Sequence, residues 1–67
     1  MELKELEYLI AIAEEKSISK AAERLFMAQS SLSQSLHSME AELGGTLFIR
    51  TSSGVRPTES GKIAIEV

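Results

Sequence analysis

Sixty-seven residues limit the chain to one domain, and folding at this size removes only ~60% of the unfolded surface from water, so the core supplies about 3–5 kcal/mol. The absence of cysteine and the single histidine exclude disulfide staples, thiolate metal sites and an imidazole-built metal centre. The net charge of −3 is unevenly laid down: acid dominates residues 1–15 and 39–45, whereas 16–38 (Lys16, Lys20 and Arg24 against Glu23) and 46–58 (Arg50 and Arg56, no acid) are basic.

No stretch is long and apolar enough to span a membrane. The acidic opening Met1-Glu2-Leu3-Lys4-Glu5 is wrong for a secretory signal, so the expected location is the cytoplasm. Leu3, Leu6, Ile10 and Ala13 follow i, i+3, i+7 and i+10, with Leu9 and Ile12 widening the stripe. This spacing predicts a helix over about 3–15, with glutamates near its start to suit the helix dipole.

Lys16-Ser17-Ile18-Ser19 breaks the pattern, and Ser17 or Ser19 is expected to cap a second, short helix. That helix carries Ala21, Ala22, Leu25 and Phe26, and its paired alanines let another helix approach closely. Phe26-Met27-Ala28-Gln29 is a connection without Pro or Gly. A longer helix follows, over about 30–43. Leu32, Leu36, Met39 and Leu43 lie at i, i+4, i+7 and i+11, predicting one buried stripe. Ser31 and Gln34 have the S-x-x-Q spacing of a capping box, which sets the expected N-terminus at Ser31.

The opposite face of the first half of this helix is unusual, with the acids Glu40 and Glu42 falling toward the far end. Ser30, Ser31, Ser33, Gln34, Ser35, His37 and Ser38 are short or hydrogen-bonding, and none is acidic. A surface helix ordinarily carries Glu and Lys there. An acid-free face of small donors and acceptors suits a polyanion with readable edges, such as the major groove of DNA; the other reading is a solvated, Ser-rich surface. Short helix, tight connection and longer helix make a helix-turn-helix candidate, whose second helix meets base edges with its N-terminal residues.

Gly44-Gly45 ends the helix. Thr46-Leu47-Phe48-Ile49-Arg50 is β-prone, Thr51-Ser52-Ser53-Gly54 is turn chemistry, and Val55-Arg56-Pro57-Thr58 is a second short strand with Pro57 at an edge or end. The pair predicts a small hairpin, or wing, with Arg50 and Arg56 flanking its tip and within reach of a phosphate backbone or minor groove. Thr58 is expected to cap a last helix over 59–67, with Ile63, Ala64, Ile65 and Val67 apolar. That helix is still running where the sequence stops, so the chain reads as a piece of a longer protein.

This order resembles the N-terminal DNA-binding domain of LysR-type transcriptional regulators. The resemblance covers residues 1 to about 62. It is carried by Leu3, Leu6, Ser17, Ala21-Ala22, Leu25, Gln29, Leu32-Ser33, Leu36, Glu40, Leu43-Gly44, Leu47-Phe48, Arg50, Thr58 and Gly61. It implies a mostly α fold: a three-helix winged helix-turn-helix with a small two-stranded wing over 1–58, and the start of a C-terminal linker helix over 59–67. It also implies a bacterial regulator several times this length. Such a protein binds an operator in double-stranded DNA, pairs as a homodimer through the linker helix, and takes a small-molecule coinducer in a C-terminal domain outside this chain.

Residue by residue, the resemblance puts Gln29, Ser30 and Ser31 at the start of the recognition helix. It matches Ser33 to a phosphate-binding position and Gln34 to a base-reading one, and Arg50 and the 52–56 wing to backbone and minor-groove contacts. Ser30 departs from a common Pro, and Gln34 from a common Arg, which favours adenine over guanine as bidentate partner. Ser35 and His37 stand where longer or more basic side chains are frequent, and Ser53-Gly54 leaves the wing tip less basic.

The leading expectation is therefore sequence-specific binding to double-stranded DNA. Base contacts come from 29–34, and positioning contacts from Ser33, Ser38, Arg50, Ser53 and Arg56, with His37 as a neutral hydrogen-bonder or, protonated, a phosphate contact. A winged-helix protein-interaction module is the alternative, supported by the acidic total and thin wing. Against it, acid is absent from 25–39 and 43–58. An enzyme is not expected. Ser33 lies four residues before His37, but no third group orients the imidazole, and there is no metal cluster or phosphate-binding glycine loop. No cofactor is expected.

Overall fold

The computed structural model describes residues 2–66, so Val67, the last expected apolar position, lies outside the described residues. The order is α1 (Leu3–Glu15), α2 (Ile18–Arg24), α3 (Gln29–Leu43), β1 (Phe48–Thr51), β2 (Gly54–Pro57) and α4 (Glu59–Glu66). This is the expected succession of helix, helix-turn-helix, hairpin and helix.

The first turn of α1 is closed by the Glu2 N–H, which donates to Glu5 Oε1 at 2.9 Å. The helix ends at Lys16, whose φ of 57° is left-handed and whose N–H donates to the Ile12 carbonyl at 2.9 Å. Ser17, not Ser19, caps α2, its hydroxyl accepting the Lys20 N–H at 3.2 Å.

The buried side of α1 is centred on Leu9 and Ile12, the residues expected only to widen the stripe. Leu9, Ala11 and Ile12 are buried, whereas Leu3 is 75% exposed and Leu6, Ile10 and Ala13 are half-buried. The helix is apolar around more than half of its circumference. α2 and α3 pack against it, and the Leu9/Ile12 stripe joins theirs in the core. The Leu3/Leu6 side turns toward α4 across an open apolar groove that Leu47 and Ile63 also line. Leu43, expected to complete the buried stripe of α3, is 50% exposed at the same groove. The stripe outlasts the helices that cover it.

α3 begins at Gln29, its N-cap three residues before the Ser31 of the capping-box reading. Its N-cap is Ala28, which makes no side-chain cap; the Ala28 carbonyl accepts the Leu32 N–H at 3.1 Å. The connection from α2 fixes this start. Phe26 has a φ of 57°, and the Met27 N–H donates to the Ala22 carbonyl at 3.0 Å, so the chain is already turned into the new axis by residue 28. Phe26, expected among the apolar residues of α2, is instead 95% exposed.

β1 pairs antiparallel with β2, Phe48 opposite Pro57 and Thr51 opposite Gly54. The expected first strand loses Thr46 and Leu47 to other partners. The Leu47 N–H donates to Glu40 Oε2 at 2.7 Å, and its carbonyl accepts the Thr58 N–H at 2.9 Å. Thr58 then caps α4 as expected: its Oγ1 donates to the Thr46 carbonyl at 2.6 Å and accepts the Gly61 N–H at 3.1 Å. A Cβ on Gly61 would lie 2.1 Å from the Leu47 oxygen, so only glycine lets α4 sit this close.

The core joins all the elements before α4. Leu9, Ile12, Ala21, Leu32, Met39 and Leu47 are fully buried, and Phe48 and Val55 bring the inner face of the hairpin onto them. α1 is the hub, packing against α2, α3, α4 and β2.

Candidate nucleic-acid interface

α3 carries the acid-free face, and its burial fixes which way that face points. With Leu32, Leu36 and Met39 buried, residues half a turn away must look outward. Ser30, Gln34, His37 and Ser38 lie at i, i+4, i+7 and i+8 and are all exposed. Ser33 is half-buried on one flank, and Ser31 is exposed on the other. Gln29 opens the helix and is exposed, but its amide is held: Ser19 Oγ donates to Gln29 Oε1 at 3.1 Å across the helix-turn-helix. Sequence reasoning treated Ser19 only as a possible cap, and nothing in its spacing from Gln29 announces the bond.

The wing is placed by a contact that the sequence did not signal. The Val55 N–H donates to the Lys16 carbonyl at 3.0 Å, pinning β2 to the C-terminus of α1. A Cβ on Gly54, where φ is +135°, would lie 2.1 Å from that carbonyl oxygen. At the tip, Thr51 Oγ1 donates to the Gly54 carbonyl at 3.1 Å and accepts the Ser53 N–H at 3.3 Å. Ser53, Arg50 and Arg56 are exposed. Arg50 pairs with Val55, and Arg56 with Ile49. Neighbouring pairs project to opposite faces of a ribbon. The two arginines therefore serve opposite faces of the hairpin instead of converging on one.

The basic charge beside α3 is smaller than the sequence suggested. Arg24 is drawn back onto α1, 2.8 Å from Glu14 and 3.3 Å from Glu15. Its guanidinium is held above its ordinary pKa by the Glu14 hydrogen bond first, with the charges of both glutamates adding. Lys16 and Lys20, both exposed, remain on the α2 side. Glu40 is a further residue whose role the sequence hid. It carries no charge to the outer face, because its carboxylate is spent on the Leu47 N–H, tying α3 to the wing.

A short helix, a tight turn, a second helix with a polar outer face and a pinned two-stranded ribbon define a winged helix-turn-helix. The model for bacterial regulatory helix-turn-helix proteins of the lysR family matches residues 3–62, and the chain belongs to that family. Among curated relatives, it is 46% identical over 63 residues to the nitrogen assimilation regulatory protein nac of Klebsiella aerogenes. It is 49% identical over 63 residues to the HTH-type transcriptional regulator AlsR of Bacillus subtilis (strain 168). Each match covers 94% of this chain but only 21% of the relative, so the chain spans about a fifth of their length. Among solved structures, the BenM DNA-binding domain in complex with catB site 1 DNA superposes with a TM-score of 0.91 at 41% identity, covering 98% of this chain and 74% of that one. The CbnR DNA-binding domain in its DNA complex gives 0.90 at 35% identity, covering 98% and 76%.

Proposed function

We propose that this domain binds double-stranded DNA in a sequence-specific way, as the reading head of a bacterial transcription regulator. The carrying observation is the outer face of α3, where Ser30, Gln34, His37 and Ser38 stand free of acid opposite a fully buried stripe. In this reading α3 enters the major groove. Residues Gln29 to Gln34 meet base edges, and Ser33, Ser38 and the wing residues Arg50, Ser53 and Arg56 hold phosphate or the minor groove. His37 adds a hydrogen bond or, protonated, a phosphate contact. Relatives solved as DNA complexes, BenM and CbnR, support the same use of the fold.

Residues 1–58 form the DNA-binding unit in this reading, and 59–67 begin a linker helix through which two copies pair. Two recognition helices then reach successive major grooves about 34 Å apart. The whole protein acts in the cytoplasm, without enzymatic activity, and a domain beyond this chain senses a small-molecule coinducer. The length of the curated relatives supports that wider reading.

The test is an amide-shift titration of the labelled domain with a mixed-sequence duplex at low salt. Shifts confined to 29–38 and 50–56, fading as salt rises, are the expected result. A folded domain whose amides in those segments ignore DNA, with and without a restored linker helix, refutes the reading in favour of a protein-interaction module.

A further inference from the structure

The amide of a glutamine has two unlike ends, an oxygen that accepts and a nitrogen that donates two hydrogens. In Gln29 the oxygen is engaged by the Ser19 hydroxyl at 3.1 Å. Both residues are exposed, and the packing of α2 on α3 rests on buried residues such as Ala21, Ala22 and Leu32. An exposed side-chain hydrogen bond adds little to stability. Its consequence is directional: a side chain with three free torsions is held in one pose at the first residue of the reading helix. Gln34, further along α3, has no such partner among the described residues and keeps both amide ends available.

We propose that Ser19 is a positioning residue for base reading, and that it sets what Gln29 recognises. With one of the two lone pairs on Oε1 taken up and that end of the amide held on Ser19, Gln29 leads with its Nε2 hydrogens. A group that leads with its donor selects a base that offers acceptors in the major groove, guanine through O6 and N7 or thymine through O4. Adenine is disfavoured, because a bidentate glutamine must turn both amide ends to N6 and N7 together, and Ser19 holds the accepting end. Gln29 and Gln34 are then not equivalent readers: the held glutamine selects an acceptor edge, and the free one can take adenine. The inference rests on the DNA-binding reading above.

The experiment selects duplexes from a pool randomised across a half-site, using the 67-residue chain and its Ser19→Ala, Ser19→Thr, Gln29→Ala and double variants. The wild-type chain is expected to enrich guanine or thymine at one position that loses its preference in Gln29→Ala. Ser19→Ala should move that position toward adenine, on the order of 5- to 10-fold, and leave other positions alone. Ser19→Thr keeps the hydroxyl and should keep the wild-type preference, and the double variant should match Gln29→Ala. An unchanged Gln29-dependent position in Ser19→Ala overturns the proposal. So does an equal loss on all duplexes, which would make Ser19 a phosphate contact only, or adenine enriched there by the wild-type chain. A wild-type chain that enriches nothing while the amides of 29–38 ignore DNA overturns the DNA reading itself. In that case, Gln29 side-chain amide resonances unmoved by Ser19→Ala show separately that the bond is absent.

Discussion

α1 runs thirteen residues and α3 fifteen, and each buries three side chains, at i, i+2 and i+3 in α1 and at i, i+4 and i+7 in α3. Leu9, Ala11 and Ile12 do for α1 what Leu32, Leu36 and Met39 do for α3. The outer faces differ. α1 shows Glu7 and Glu14 to solvent and pulls Arg24 across from α2, so the charges of Glu14 and Glu15 are answered within the domain. The first half of α3 shows serine, glutamine and histidine, and its acids come later, Glu40 turned to the Leu47 N–H and Glu42 exposed near the C-terminal end. The contrast separates two jobs that a hydrophobic pattern alone does not tell apart. Buried stripes assemble the fold, and the exposed remainder of each helix decides whether the helix supports or reads.

The buried sides should therefore be interchangeable in their effect. Leu32→Ala and Ile12→Ala each remove a side chain with no exposed surface, and each is expected to destabilise the domain by about 2–5 kcal/mol. Against a core worth only a few kcal/mol, either change should leave much of the population unfolded, read as a lowered urea midpoint. If one variant loses stability and the other does not, the symmetry of the two stripes fails.

The hairpin should break next, and for a backbone reason. Gly54→Ala sets a methyl against the Lys16 carbonyl and imposes a side chain at a φ of +135°. A loss of about 2–3 kcal/mol is expected, with the amides of Val55 and its neighbours shifted most in spectra of the surviving folded state. A loss confined to the wing, with α1 unaffected, would show that the Val55–Lys16 hydrogen bond does not couple the reading ribbon to the supporting helix.

The outer faces are separated by one charge each. Gln34→Glu puts an acid on α3 and should weaken DNA binding by about 1–3 kcal/mol at low salt while leaving the urea midpoint within about 0.5 kcal/mol of wild type. Glu7→Gln removes an acid from α1 and should change neither by more than about 0.5 kcal/mol. Equal losses of binding from both substitutions would mean that net charge, not the α3 face, governs affinity.

Much of this arrangement was legible in the chain. Period 3.6 marked both helices, Gly44 marked the end of α3, and Thr58 marked the start of α4. The misjudged residues share a cause. Leu3, Leu6 and Leu43 fit apolar spacing as well as the buried residues do, and only the three-dimensional packing decides which of two adjacent stripes is covered. Ser31 fits a capping box, but the turn before it had already started the helix. The Ser19–Gln29 and Val55–Lys16 bonds join residues whose separation along the chain follows no periodic rule. The outward placement of the polar residues of α3 was readable for the opposite reason: burial of one side dictates exposure of the other.

A smaller and stabilising effect lies between the two helices of the motif, where packing dictates little. Phe26 holds a left-handed φ of 57° and is 95% exposed, so its ring gains almost nothing from burial and its Cβ sits badly against the carbonyl that follows. Left-handed backbone costs an ordinary residue roughly 1–2 kcal/mol, and asparagine recovers part of that through its short polar side chain. Phe26→Asn should therefore stabilise the domain by about 0.5–1 kcal/mol, raising its midpoint in thermal melts by a few degrees. The Phe26 N–H still donates to the Glu23 carbonyl and Met27 to Ala22, so the start of α3 is unchanged and Gln29 and Gln34 keep their places. DNA affinity should then be unaltered by the change. A variant that gains stability but loses affinity would place the exposed ring itself on the nucleic acid, and the reading face would extend back into the turn. One that loses stability would mean that the phenyl ring supports the turn through contacts its exposure does not suggest.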